Sequence, residues 1–116
     1  MLYTFTLTSR IKPYVRMTRA GQWVDPQALE YKASQQALAW QYRAQMSAQG
    51  WGMLPERTPL AARITVEAPD RLHTSDLDNT IKALIDAAQG VVLKNDLWVD
   101  RIEAARRLGP DYRAVV

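Results

Sequence analysis

The sequence predicts an α+β domain, a small mixed β-sheet with two helices packed on it. Three observations lead there. The chain has 116 residues, which suits one domain spanning residues 1–116. Its composition, 47% hydrophobic and 23% charged, is that of a globular protein able to bury a core. Its apolar spacing changes in the order strand, helix, strand, helix, strand, strand.

Each element has its own signal. Tyr3 to Thr8 alternates apolar and polar residues, as a half-buried strand does. A basic, turn-prone stretch follows, with Arg10, Lys12, Arg16 and Arg19. Asp25-Pro26 is a cap and a first helical residue, so a helix is expected from about Pro26 to Gln49, ended by Gly50. Leu29, Ala33, Ala37, Trp40 and Ala44 recur at three- and four-residue steps and are expected to form its buried stripe. Trp51 to Pro59 reads as loop. Leu60 to Glu67 reads as a strand with Ala62, Ile64 and Val66 on one face. A second helix is expected from Asp76 to Gln89, then a turn over Val91 to Asp96. Trp98 to Arg107 and Tyr112 to Val116 read as the last strands, separated by the turn signal Gly109-Pro110-Asp111.

Composition excludes several chemistries. There is no cysteine, which removes disulfides, thiolate metal sites and a cysteine nucleophile. With a single histidine, His73, a histidine-rich zinc site is excluded too. The first ten residues have no signal-peptide pattern, and no apolar run approaches the ~18 residues of a membrane span. A cytoplasmic protein is expected. The net charge of +3 permits an anionic partner without naming one.

The informative segment runs from His73 to Asp96. Within its helix, Leu77, Ile81, Leu84, Ile85 and Ala88 fall on one side and are expected to face the sheet. Asp78, Lys82 and Asp86 advance about 40° per step along a separate polar stripe beside Asn79. Asp76 stands just before the helix, and the glycine turn after it can return Asp96 to the same neighbourhood. Clustered carboxylates suit Mg²⁺, a hard cation that takes oxygen ligands, and phosphodiester hydrolysis uses such ions. A lysine one turn from an aspartate can orient water or hold a phosphate oxygen. The same residues have an ordinary reading: Ser75-x-x-Asp78 is a capping box, and Asp78 with Lys82 has the spacing of a surface ion pair.

The pattern Asp76-x-Asp78-Asn79-x-x-Lys82-x-x-x-Asp86, then a glycine and Asp96 with Val99 after it, resembles the signature of the RusA endodeoxyribonuclease family. The resemblance is sharp from Asp76 to Glu103 and one of order and character elsewhere. It implies a mixed α/β fold, a homodimer, and Mg²⁺-dependent nicking of Holliday junctions, with Mn²⁺ as a substitute ion. It also implies a bacterial or phage-encoded protein. By position, Asp76, Asp78 and Asp96 match the metal-binding catalytic aspartates, and Lys82 matches the catalytic lysine. Asn79 then supports or caps the site, and Asp86 supports Lys82. The chain departs from the family's habit at Asn95, where an acid often stands, and at His73-Thr74-Ser75, where some relatives are basic.

A positive surface is needed for such a substrate. Arg10, Lys12, Arg16 and Arg19 are the densest candidates, and Arg71 is nearest to the acidic motif. Arg101, Arg106 and Arg107 are weaker ones, because the outer face of a strand is often charged. Trp40 is expected in the core; Trp23, Trp51 and Trp98 are expected to pack rather than stack on bases. Two other functions fit the same motif: a protein that holds branched DNA without cutting it, and a nuclease for flaps or forks.

Overall fold

Strand and helix alternate as the spacing predicts. The computed structural model describes residues 2–8, 26–68, 77–109 and 113–116. Strand β1 is Thr6–Leu7, helix α1 Pro26–Gln49, β2 Leu60–Ala68, α2 Leu77–Ala88, β3 Val99–Leu108 and β4 Arg113–Val115. A short 3-10 turn, Asp96–Trp98, leads directly into β3. The sheet order is β1-β4-β2-β3. The β2–β3 pair is parallel and is connected through α2, as parallel neighbours require a crossover; the other two pairs are antiparallel. The expected first strand, Tyr3 to Thr8, is shorter as a ladder, although Phe5 and Val116 still exchange backbone bonds of 2.8 and 2.9 Å.

The core lies between the helices and one face of the sheet. Leu38, Tyr42 and Met46 of α1, Leu84, Ala87 and Ala88 of α2, Ile64 and Val66 of β2, and Phe5 and Leu7 form a single buried cluster. Ile64 and Val66 lie two residues apart, as the period of a strand demands. Arg63 and Glu103, register partners in β2 and β3, therefore point to the opposite face.

The face of α1 that is buried is not the expected one. Leu29 and Trp40 are 46% and 68% exposed, and Ala33, Ala37 and Ala44 are exposed as well. The buried stripe is Ala28, Tyr31, Leu38, Tyr42 and Met46. Burial favours area, and an alanine removes little area from water while leucine, methionine and tyrosine remove much. Trp40 instead stands at the surface, with the Arg43 guanidinium 5.9 Å from its ring centroid.

Glutamines interrupt that stripe for a reason. Gln45 Oε1 accepts the Thr6 N–H at 2.9 Å, and its Nε2 donates to the Thr6 carbonyl at 2.7 Å. Gln41 Oε1 accepts the Thr8 N–H at 2.9 Å. The outer edge of β1 is thus closed by side-chain amides of α1, one way a protein protects a sheet edge. On the other flank Tyr3 stacks on Trp51 with ring centroids 4.5 Å apart, which places Trp51 in packing as expected.

Gly50 ends α1 with φ of 69°, the left-handed conformation that favours glycine. Gly109, beyond β3, has another role: a Cβ there would collide with the buried Glu67 side chain.

The corrected helix face can be checked by stability. Leu38→Ala should cost about 2–5 kcal/mol in urea unfolding, as truncation of a buried leucine does. Trp40→Ala should stay within about 0.5 kcal/mol of the parent, as exposed substitutions do.

Candidate active site

Helix α2 carries most of the site, and α1 holds α2 in place. Tyr42, fully buried, donates its hydroxyl to the Leu84 carbonyl at 2.9 Å. Burial pushes its phenol pKa well above the ordinary tyrosine value. Gln35 Nε2 donates to the Ala83 carbonyl at 2.9 Å. Tyr31 donates its hydroxyl to Asp86 Oδ2 at 3.3 Å. These contacts turn the buried side of α2 toward Thr80, Ala83, Leu84, Ala87 and Ala88, while Leu77, Ile81 and Ile85 are only half-buried. The apolar face is therefore rotated from the expected one toward α1.

The polar stripe borders that contact, with Asp86 at the seam and Asp78 and Lys82 farther out. Asp78 stands in the first turn of α2, where a negative charge complements the helix dipole. Its Oδ1 accepts the backbone N–H of Asn79 at 2.9 Å. Lys82 Nζ lies 3.9 Å from Asp86 Oδ2. Asp86 is more enclosed: Oδ2 also takes the Tyr31 hydroxyl, and Oδ1 takes Gln89 Nε2 at 3.2 Å. Asp86 thus ties Lys82 to both helices. Tyr31 and Gln89 are the residues that the motif alone did not reveal. Tyr31 could have been found from its seven-residue spacing to Leu38 on the true buried stripe.

Asp96 is held differently. Gly90, with φ of 81°, closes α2, and its N–H donates to the Leu93 carbonyl at 2.7 Å. The chain then reaches Asn95, whose Oδ1 accepts the Leu97 N–H at 3.0 Å and caps the 3-10 turn that begins at Asp96. Asn95, noted above as an amide where an acid is common, is here the cap. Lys94 Nζ pairs with Glu56 Oε1 at 2.7 Å, joining this turn to the loop after α1, and that contact raises the pKa of the lysine. The Asp96 side chain is exposed.

The structure brings Lys82 and Asp86 into contact and puts Asp78 and Asn79 together on the first turn of α2. Asp96 starts the turn before β3. Asp76, His73, Arg71, Trp23 and the basic residues Arg10, Lys12, Arg16 and Arg19 lie outside the described residues. Among the described residues no three acidic or histidine groups cluster as a metal site would; only two of the three aspartates proposed from the sequence are among them. The donors present, exposed carboxylates with one Asp78 oxygen outside the Asn79 contact, are the hard oxygen ligands that Mg²⁺ prefers.

Removing the Asn95 cap with Asn95→Ala should destabilise the chain by about 1 kcal/mol in urea unfolding. A larger effect on any activity that depends on Asp96 than on stability would show that the cap matters through that turn.

No helix among the described residues is long and apolar enough to cross a membrane. No curated protein matches the chain. The model of the family described as endodeoxyribonuclease RusA matches residues 5–116, nearly the entire chain. A match of that extent includes the acidic turn of α2, Lys82, Asp86 and the Asp96 turn, and the chain belongs to the RusA endodeoxyribonuclease family, the Holliday junction resolving endonucleases.

Proposed function

We propose that this chain resolves four-way DNA junctions by metal-dependent, paired strand nicking. The observation that carries the reading is the polar stripe of α2, where Asp78 opens the helix and Lys82 is tethered by Asp86 to Tyr31 and Gln89. A surface ion pair formed for stability alone gains little from such anchoring, because exposed pairs contribute only about 0–1 kcal/mol. A lysine that must meet a phosphate gains much, because misplacement by about 1 Å can cost two orders of magnitude in rate.

Asp76, Asp78 and Asp96 would hold Mg²⁺, with Mn²⁺ as a substitute. Once bound, such an ion activates water and offsets charge on the scissile phosphate. Lys82 directs its ammonium protons at a non-bridging phosphate oxygen, where negative charge grows as water oxygen bonds to phosphorus and the ester bond breaks. Asp86 is a positioning residue that sets where the Lys82 ammonium lies. Asn79 supports Asp78 through its backbone N–H.

Selection of the branched substrate is assigned to phosphate contacts. Arg10, Lys12, Arg16, Arg19 and Arg71 are the proposed contributors, and they position the junction without reading its sequence. A homodimer would present two identical sites to a nearly two-fold symmetric junction, so that opposing strands are cut as a pair. A cytoplasmic location, in a bacterial cell or one infected by phage, accords with a DNA substrate.

The test is nicking of a labelled four-way junction beside linear duplex, flap and fork substrates, in Mg²⁺ and in EDTA. Symmetric nicks on the junction alone, abolished by EDTA, are expected. Asp78→Asn should reduce the rate about 100-fold or more. Asp86→Asn should reduce it roughly 10- to 100-fold through Lys82 while junction binding persists. Tight junction binding with no nicking in either Mg²⁺ or Mn²⁺ would replace the reading with a binding protein, and faster cutting of flaps or forks would replace its substrate.

A further inference from the structure

One face of the sheet has no described helix on it. The core cluster takes Ile64 and Val66 of β2, so the side chains between them point to the other side. Register places Ala61 beside Arg101, Arg63 beside Glu103, Thr65 beside Ala105 and Glu67 beside Arg107. That face therefore carries small residues, Ala61, Thr65 and Ala105, among three exposed arginines, one exposed acid, Glu103, and the buried Glu67. The arginine side chains are strongly exposed: 84% for Arg63, 74% for Arg101 and 58% for Arg107.

We propose that this face is a docking surface for a duplex arm of branched DNA, with Arg63, Arg101 and Arg107 contacting phosphates. The inference rests on the resolvase reading above and adds the surface that carries the substrate's arm. Charge favours nucleic acid as the occupant, because guanidinium groups bind phosphate oxygens in a planar, two-pronged way. Dimension agrees: Arg101 and Arg107 are six residues apart on one strand, about 20 Å, or more than half of a ~34 Å turn of duplex. Small residues between them leave the backbone of the sheet open to close approach. Position agrees too, since β3 follows directly from the turn that begins at Asp96, so an arm lying along the strand leads to the proposed cutting centre.

Glu103 is the informative residue. Its Oε2 lies 3.2 Å from Arg63 Nε, and its Oε1 lies 2.9 Å from Arg101 Nη2. One exposed carboxylate thus holds both arginines in place of a phosphate. DNA must displace it, and removing its charge should release both guanidinium groups for the nucleic acid. Arg107 is held more loosely, with Nε 3.8 Å from the buried Glu67 carboxylate.

The same face could instead meet a second copy of this chain. It is the less favoured occupant, because a two-fold contact would bring like-charged arginines together.

The test is binding of a synthetic four-way junction in EDTA, where cutting is blocked, across a range of KCl concentrations. The variants are Arg101→Ala/Arg107→Ala and Glu103→Gln, and sedimentation of each is measured in parallel. The double variant should flatten the plot of log affinity against log salt by about 1 for each arginine lost. Glu103→Gln should tighten binding and steepen the slope by up to about 1. A misfolded protein would not produce that gain. Unchanged slopes in both variants, with the junction still nicked in Mg²⁺, would overturn the surface and leave the resolvase reading standing. An altered sedimentation with unchanged slopes would overturn it in favour of contact between copies. Parent protein that neither binds nor nicks the junction would overturn both.

Discussion

The contact between α1 and α2 is the constraint on which the rest depends. An acidic first turn and a lysine are useful only if the helix that bears them has one orientation. Apolar packing alone would allow α2 to roll on the sheet, since Leu77, Ile81 and Ile85 offer an apolar stripe beside the one actually buried. Directional bonds select the roll. Tyr42 and Gln35 of α1 reach backbone carbonyls of α2, and Tyr31 reaches Asp86. Buried hydrogen bonds add only about 0.5–1.5 kcal/mol each, but leaving such groups unpaired costs more, so alternative orientations are penalised.

The same helix α1 also closes the β1 edge with Gln41 and Gln45. One long helix therefore organises both ends of the fold, with one side on the β1 edge and the other on α2. The site follows as a consequence. Asp86 stands at the seam between the helices, which lets a residue of modest exposure anchor the outward-reaching Lys82. Asp96 has an independent support, the Asn95 cap and the Lys94–Glu56 ion pair, on a turn set by Gly90.

Much of this was legible in the sequence. Pro26 and Gly50 bound α1, Gly90 closes α2, and the even spacing of Ile64 and Val66 identifies the inner face of β2. The face of α1 was not legible from hydrophobic periodicity. Its alanines and Trp40 mimic an apolar stripe, whereas the true stripe is mixed, with glutamines that satisfy backbone groups standing beside Leu38, Tyr42 and Met46. The motif residues were visible as a pattern, and Lys82 with Asp86 is a contact one turn apart that helical spacing anticipates. The 3-10 turn at Asp96 and the tether from Tyr31 were not, because both depend on segments distant in sequence meeting in space.

In the proposed mechanism the start of α2 and the turn at Asp96 serve one metal centre. Substoichiometric Mn²⁺ added to ¹⁵N-labelled protein tests it most directly, through paramagnetic broadening of amide signals. Signals near Asp78 and near Asp96 should broaden together at the same Mn²⁺ level, and Asp78→Asn should weaken both. Broadening at one segment alone, or uniform weak broadening over all exposed carboxylates, would contradict it.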